Sequence, residues 1–272
     1  LKNRKDTDVL SNTDYHIWRE YDVTMDSNYF DDLSGDYILT SGQAINHYDC
    51  MYKKWLEKHG RSSKWEIVEN FPKTNDYRAE YYVSEIPDRI TTHHKIDKSN
   101  YRIVTQTVTG SVTNSRTLKA AIVPKNYLTN NSLNNLYIGN NDKELFFYLG
   151  ILSSFVLDWQ VRMKIATNLN KFILDTLIIP IYEDINTKLR NQIMESSLRL
   201  SCVSSEFDEV TSNILGEVAK KSLITDLEQR QSHKNRIDAL VATIMGINKV
   251  ELENILSSFP IVKDEIKFDV LH

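Results

Sequence analysis

Tyr101-Arg-Ile-Val-Thr-Gln-Thr-Val-Thr109 and Thr117-Leu-Lys-Ala-Ala-Ile-Val-Pro124 are followed by Lys143-Glu-Leu-Phe-Phe-Tyr-Leu-Gly-Ile-Leu-Ser-Ser-Phe-Val-Leu-Asp-Trp-Gln-Val-Arg-Met-Lys164. The first two stretches alternate with a period of two and are rich in β-branched residues, which predicts strands. Gly110 and Asn114 supply turn chemistry between them. In the third, Leu145, Tyr148, Leu149, Leu152, Phe155, Val156 and Trp159 recur at helical spacing, so a largely buried helix with Trp159 in the core is expected. Strands handing over to a buried helix place the chain in the α+β class.

Outward from there, residues 14–76 are rich in Tyr and Trp, and Asp36-Tyr-Ile-Leu-Thr40 reads as a strand. Glu57-Lys-His-Gly-Arg-Ser-Ser-Lys64 reads as an exposed polar loop. Leu177-Ile-Ile-Pro-Ile-Tyr182 is a strand whose Pro180 favours an edge or an end. Beyond Asp184 the pattern is helical. Ile237, Leu240, Val241 and Ile244 form a stripe with Gly246 placed to stop it. Asn248 and Glu251 resemble a capping box, and Phe207, Val210, Ile214 and Val218 form another stripe. The expected organisation is a mixed-sheet α/β body over residues 1–182 and a helical C-terminal part over 183–272, without repeats.

Among 272 residues, 8 Gly, 5 Pro and 2 Cys exclude collagen-like, disordered and disulfide-scaffold classes. Cys50 and Cys202 are isolated in sequence, which points to a reduced, cytoplasmic setting. The longest uncharged apolar stretch, Leu145 to Leu157, is too short for a bilayer, so no membrane partner is expected. The polar start lacks the apolar core of a signal peptide. Because the chain opens on Leu1 rather than Met, it is expected to be a piece of a longer protein.

The formal net charge of -4 speaks at first against a nucleic-acid partner. Residues 89–139, however, hold Arg89, Lys95, Lys98, Arg102, Arg116, Lys119 and Lys125 against the single acid Asp97. The excess of basic charge there is matched by an excess of acid elsewhere. The other polar groups of this segment are mainly Asn, Gln, Ser and Thr, the types that contact phosphates and base edges. A solvated basic face is the alternative reading.

Catalytic patterns are scarce. GxGxxG, GxxxxGK[ST], GxSxG and HExxH do not occur. His93-His94 would point to opposite faces of a strand, with no further ligand at metal spacing. Pro87-Asp88 and Glu265-Ile-Lys267 can be set into the acid-pair-plus-lysine template of a metal-dependent nuclease. They lie far apart in the chain, and such triplets are common by chance.

Five blocks, in order, resemble the C-terminal target-recognition region of adenine-specific DNA methyltransferases and fused type II restriction–modification enzymes with a TaqI-like specificity domain. Val23-Thr-Met-Asp-Ser-Asn28, followed by Phe30, is similar to the family's MTNDS…LF. Tyr37-Ile-Leu-Thr-Ser-Gly-Gln-Ala-Ile-Asn-His-Tyr-Asp49 is similar to LPLYEGKMIHQFDHR, with Gly42, Ile45, Tyr48 and Asp49 in place. Here Gln43 stands where Lys is usual, Asn46-His47 replaces His-Gln, and Cys50-Met51 replaces His-Arg. Asn114-Ser-Arg-Thr-Leu-Lys-Ala-Ala-Ile-Val-Pro124 is close to NERTLIAAVLP. Leu149-Gly-Ile-Leu-Ser-Ser-Phe-Val-Leu-Asp-Trp-Gln-Val-Arg162 is similar to LLNSFVFDYLLR. Arg236-Ile-Asp-Ala-Leu-Val-Ala242, continuing to Phe259-Pro260, completes the series.

The resemblance implies a duplex-DNA specificity domain that is non-catalytic by itself. The [NDS]PP[YFW] methylase motif and the S-adenosylmethionine loop are absent. Catalysis and cofactor would belong to an upstream methyltransferase domain of the same bacterial or archaeal chain, which flips and methylates adenine, with or without a fused nuclease. Expected DNA contacts are Gln43, Asn46, His47, Lys95, Lys98, Arg102, Arg116, Lys119, Arg162 and Lys164, with no catalytic, cofactor or metal residue. Two residue readings stay open. Arg116 either touches DNA or makes structural hydrogen bonds at a strand start, and Arg162 and Lys164 either touch phosphate or offset a helix dipole. A metal-dependent nuclease fragment and a protein-interaction module of a phage-defence methyltransferase complex are the competing functions.

Overall fold

The alternating stretches form β8 (Arg102–Gln106) and β9 (Ala120–Val123), antiparallel, with Ile103 opposite Ile122. The computed structural model describes residues 4, 6–59, 62–73, 77–88, 90, 100–110, 114–216 and 223–272. β8 and β9 end a four-stranded antiparallel sheet in the order β2 (Tyr15–Trp18), β11 (Leu133–Ile138), β8, β9. A second sheet runs β10 (Tyr127–Thr129), β4 (Tyr37–Thr40), β7 (Tyr81–Val83), β3 (Phe30–Asp31), parallel between β10 and β4. β1 (Thr7–Val9) pairs with β12 (Ile178–Pro180), and Pro180 ends its strand as anticipated.

The expected loop at 57–64 is instead part of a hairpin, β5 (Lys53–His59) and β6 (Ser62–Ile67). Its polar residues are cross-strand partners. Lys54 meets Glu66 at 2.9 Å and Lys64 meets Glu57 at 3.6 Å. Two largely solvated strands therefore carry a loop-like composition.

The single helix expected over 143–164 is two, α1 (Asp142–Leu152) and α2 (Phe155–Arg162), bent by 59°. Ser153-Ser154 makes the break, and the Ser154 hydroxyl accepts from the Leu157 N–H as the cap of α2. Downstream lie α3 (Lys171–Leu174), α4 (Thr187–Ser201), α5 (Asp208–Leu215), α6 (Leu227–Ile244), α7 (Lys249–Ser257) and α8 (Asp264–Leu271). α1 packs on α4 so closely that a Cβ at Gly150 would sit 2.6 Å from Ile193. At the end of α6, Gly246 takes φ +63°, and Ile247 N–H reaches the Ala242 carbonyl at 2.9 Å, a Schellman stop. The Asn248–Glu251 capping box is present. Val218 lies outside the described residues.

One hydrophobic cluster extends from Leu10 to Val270, so the sheets and the C-terminal helices share a core. A smaller core of Tyr21, Leu39, Val83, Ile90 and Leu128 sits on the β4–β7–β10 sheet. The chain is α+β with C-terminal helices. Among the described residues no single helix is long and apolar enough to cross a membrane, and the bent α1–α2 pair is buried within the core.

Two buried ion clusters fasten these parts. Arg116 Nε meets Asp158 at 2.8 Å, and Arg116 Nη2 donates to the Ser153 carbonyl at 2.5 Å, inside the break. Its guanidinium lies 3.9 Å from the Phe155 ring centroid and 3.9 Å from Asp238. Asp158 also accepts from the N–H groups of Thr117 and Leu118 at 3.0 and 3.1 Å. Asp238, from α6, accepts the Phe155 N–H at 2.7 Å. Arg102 plays the same part between the sheets, with Glu20 at 3.0 Å, Asn135 at 2.9 Å and the Tyr127 carbonyl at 2.5 Å.

Burial pushes the Asp238 carboxyl up to about 6, against the pull of Arg116. Its folded pKa thus exceeds the unfolded one. Its charged form costs stability above that value, and the cost fades as pH falls toward 4. Removing Arg116 leaves Asp158 and Asp238 buried without their cation. Arg116→Ala is expected to lose ~3–5 kcal/mol of unfolding free energy at neutral pH. Urea titrations at several pH values should show that deficit shrinking as pH falls toward 6, because the unpaired carboxyls of the variant take up protons at higher pH than those of the wild type. A deficit under ~1 kcal/mol, or one that ignores pH, contradicts this role.

Candidate nucleic-acid interface

The ion clusters remove three residues from the expected DNA-contacting set. Arg102, with 3% of its side chain exposed, has its guanidinium turned inward onto Glu20. Arg116 is committed to Asp158, Ser153 and Phe155. Arg162 donates to the carbonyls of Ser258 at 2.9 Å and Asn114 at 3.0 Å and lies over Phe259. All three belong to the interior because each offsets carbonyl or carboxylate charge there. Lys164 is exposed, but its ammonium holds the Thr176 carbonyl and hydroxyl at 3.0 and 2.8 Å. Lys95 and Lys98 lie outside the described residues.

Lys125, another cation of the basic segment, pairs with Glu209 at 2.9 Å. That leaves Lys119. Among the described residues no carboxylate lies within ion-pair range of it. Burial and then the neighbouring Lys53 lower its pKa. Lys53 and Gln43 line one open recess together with Trp65 and Glu80. The turn that carries Gln43 is fixed from the sheet. Gln106 donates its amide to the Gly42 carbonyl, and Gly42 N–H reaches the Ser132 hydroxyl at 2.7 Å. Gln43 and Lys53 thus share a recess with Glu80, and Lys119 lies in electrostatic range of Lys53 and of the buried Asp158. Lys53 was not singled out in the sequence, because it lies outside the basic segment 89–139.

Asn46 and His47 belong to a different place. Asn46 and Asp49 exchange backbone hydrogen bonds of 2.8 and 3.0 Å, which closes a tight turn over His47 and Tyr48. Tyr48 takes φ +61°, a left-handed conformation costing on the order of 1–3 kcal/mol in a non-glycine residue. Its N–H, bound to the Ala120 carbonyl at 3.0 Å, helps hold it there. Asp49 accepts from Met51 N–H at 2.9 Å and pairs with buried Lys73 at 2.9 Å.

The turn directs His47 into a cavity of about 300 Å³. Its far wall is α6, which presents Arg230 and Lys234, four residues apart and so on one face. His47 is 9% exposed, and neither ring nitrogen has a hydrogen-bond partner among the described residues. An unpaired buried polar group costs ~1–3 kcal/mol. Burial foremost, then Arg116, Lys234 and Lys119, pushes the imidazole well below its ordinary 6.5. Burial and then Arg230 push the Lys234 ammonium down to about 8. The sequence carried no signal for Arg230 and Lys234 beyond their shared helix face.

Among the described residues no three His, Cys, Asp or Glu side chains come together as a metal site, and Asp88 and Glu265 join no such group. Cys50 and Cys202 are both buried free thiols.

The environment of His47 and Lys234 is directly measurable. In a pH titration followed by NMR, the His47 ring should stay neutral well below 6.5, and methyl-labelled Lys234 should titrate near 8. Ordinary midpoints for both groups contradict burial of these side chains beside one another's charge.

No family model matches the chain, and no curated protein matches it. Among solved structures it is similar to the type IIG restriction endonuclease BpuSI, with a TM-score of 0.39 and 14% identity over 88% of this chain and 31% of that one. It is also similar to the Type IIL restriction-modification enzyme MmeI, solved in complex with DNA, with a TM-score of 0.42 and 11% identity over 93% of this chain and 35% of that one. The chain spans about a third of the length of these two restriction–modification enzymes.

Proposed function

We propose that the chain is a target-recognition domain that binds duplex DNA sequence-specifically and performs no chemistry alone. The reading rests on five ordered sequence blocks that resemble the specificity region of adenine-specific DNA methyltransferases. The observation that carries it in the fold is the neighbouring cations Lys53 and Lys119, with Gln43 beside Lys53 in one recess. Two cations there are neighbours in a protein whose other described basic-segment cations are ion-paired inside or at the surface. A polyanion relieves that repulsion, and Gln43 offers an amide suited to a base edge. Methyl transfer and S-adenosylmethionine binding belong, on this reading, to a methyltransferase domain of the same parent chain. That parent works in the cytoplasm of a bacterium or archaeon.

Binding of the 272-residue chain to duplex libraries at several salt concentrations tests this. Lys53→Ala and Lys119→Ala should each weaken binding to all sequences alike and lower the log–log salt slope by about 1. Gln43→Ala should instead change site preference, by ~1–3 kcal/mol at one base pair. If all three variants bind as the wild type does, the contact surface is misplaced.

A further inference from the structure

The cavity beside His47 is separate from the recess of Gln43 and Lys53, and its chemistry is more specific. Its polar walls come from two directions, the 46–49 turn and α6. From the turn comes the His47 ring, whose nitrogens are buried and, among the described residues, unpartnered. From α6 come Arg230 and Lys234. Arg230 is steadied by one hydrogen bond to the Ile224 carbonyl at 2.7 Å and by the Phe71 ring 4.1 Å below its guanidinium. Among the described residues Lys234 has no hydrogen-bond or ion-pair partner.

Asp49 draws on both cations and Asp238 on Lys234, yet the Lys234 ammonium is still pushed down to about 8, foremost by burial and then by Arg230. Asp49, which lines the same cavity, is already paired with Lys73 at 2.9 Å, and Glu69 is exposed at the rim. Tyr52 and Phe71 add flat apolar wall. The volume, about 300 Å³, lies at the lower end of small-molecule sites.

We infer that this cavity is a phosphoryl-binding site, with Lys234 and Arg230 as the charged donors and the His47 ring packed in the opposite wall. A planar carboxylate could be met by one guanidinium. A guanidinium and an ammonium side by side on one helix face suit an oxyanion with several oxygens. The phosphoryl group comes either from a free nucleotide or from the DNA backbone, and the recognition chemistry is the same for both. The inference stands on the cavity and does not need the duplex-binding reading.

The test uses the whole 272-residue chain. Inorganic phosphate, deoxyadenosine monophosphate and a short DNA duplex are each titrated while the His47 ring and Lys234 signals are followed by NMR. At least one of the three should shift both signals in a saturable way. Lys234→Met should weaken that ligand at least 10-fold, whereas Lys249→Ala, at an exposed cation outside the cavity, should leave phosphate and nucleotide binding unchanged. Tighter binding of the nucleotide than of phosphate identifies a free nucleotide as the source. Shifts with duplex, together with a salt slope lowered by about 1 in Lys234→Met, identify the backbone. Phosphate binding without any duplex binding upholds this inference and overturns the duplex reading. Signals unmoved by all three ligands, in a wild-type chain shown to be folded, mean a hydrated structural cavity only and overturn the inference.

Discussion

The placement of Arg116 between Asp158 and Asp238 is the constraint on which the rest of the molecule depends. One guanidinium joins the start of β9, the break between α1 and α2, and the middle of α6. Each junction is a point where backbone groups would otherwise go unsatisfied. The Ser153 carbonyl is freed by the helix break, the Phe155 N–H opens a new helix, and the Thr117 and Leu118 N–H groups precede the strand. Two buried carboxylates answer the N–H groups, and the arginine answers the carboxylates and the carbonyl. A buried network of this kind is stabilising only when complete. It also fixes the bend that lets α1 pack on α4 at Gly150, and so sets where α6 stands.

That constraint changes what the charge of the chain means. The basic segment 89–139 looks like a polyanion-binding stripe when its cations are counted. Of those described, Arg102 and Arg116 are interior and Lys125 is ion-paired, so the cation available at the surface is Lys119. Its companion Lys53 comes from a hairpin outside the segment, and Lys234 and Arg230 come from the helical part. The electrostatics relevant to a polyanionic partner are thus assembled from three distant stretches. Composition alone cannot show this, because ion pairing is a property of contacts.

Legibility in the sequence follows the range of the interaction. The alternation at 101–109 and 117–124, the Gly246 stop and the Asn248–Glu251 capping box were all readable, since each depends on neighbours within a few residues. The break at Ser153-Ser154 was not, because apolar spacing runs on through it and the decisive partners, Arg116 and Asp238, lie 37 and 83 residues away. The hairpin at 53–67 was hidden by its cross-strand Lys–Glu pairs. Of the expected interface, Gln43 and Lys119 remain at the surface, His47 is turned into a cavity, and the three arginines are structural. A guanidinium that satisfies an interior carbonyl has the same local sequence as one that meets a phosphate.

Hydrogen exchange of the chain with and without bound duplex DNA tests this arrangement most directly. The account predicts slowed exchange over 41–54 and around Lys119, with little change at 160–164 and 256–260, where Arg162 is bound internally. Slowing centred on 160–164 and 256–260, with 41–54 unaffected, would contradict it.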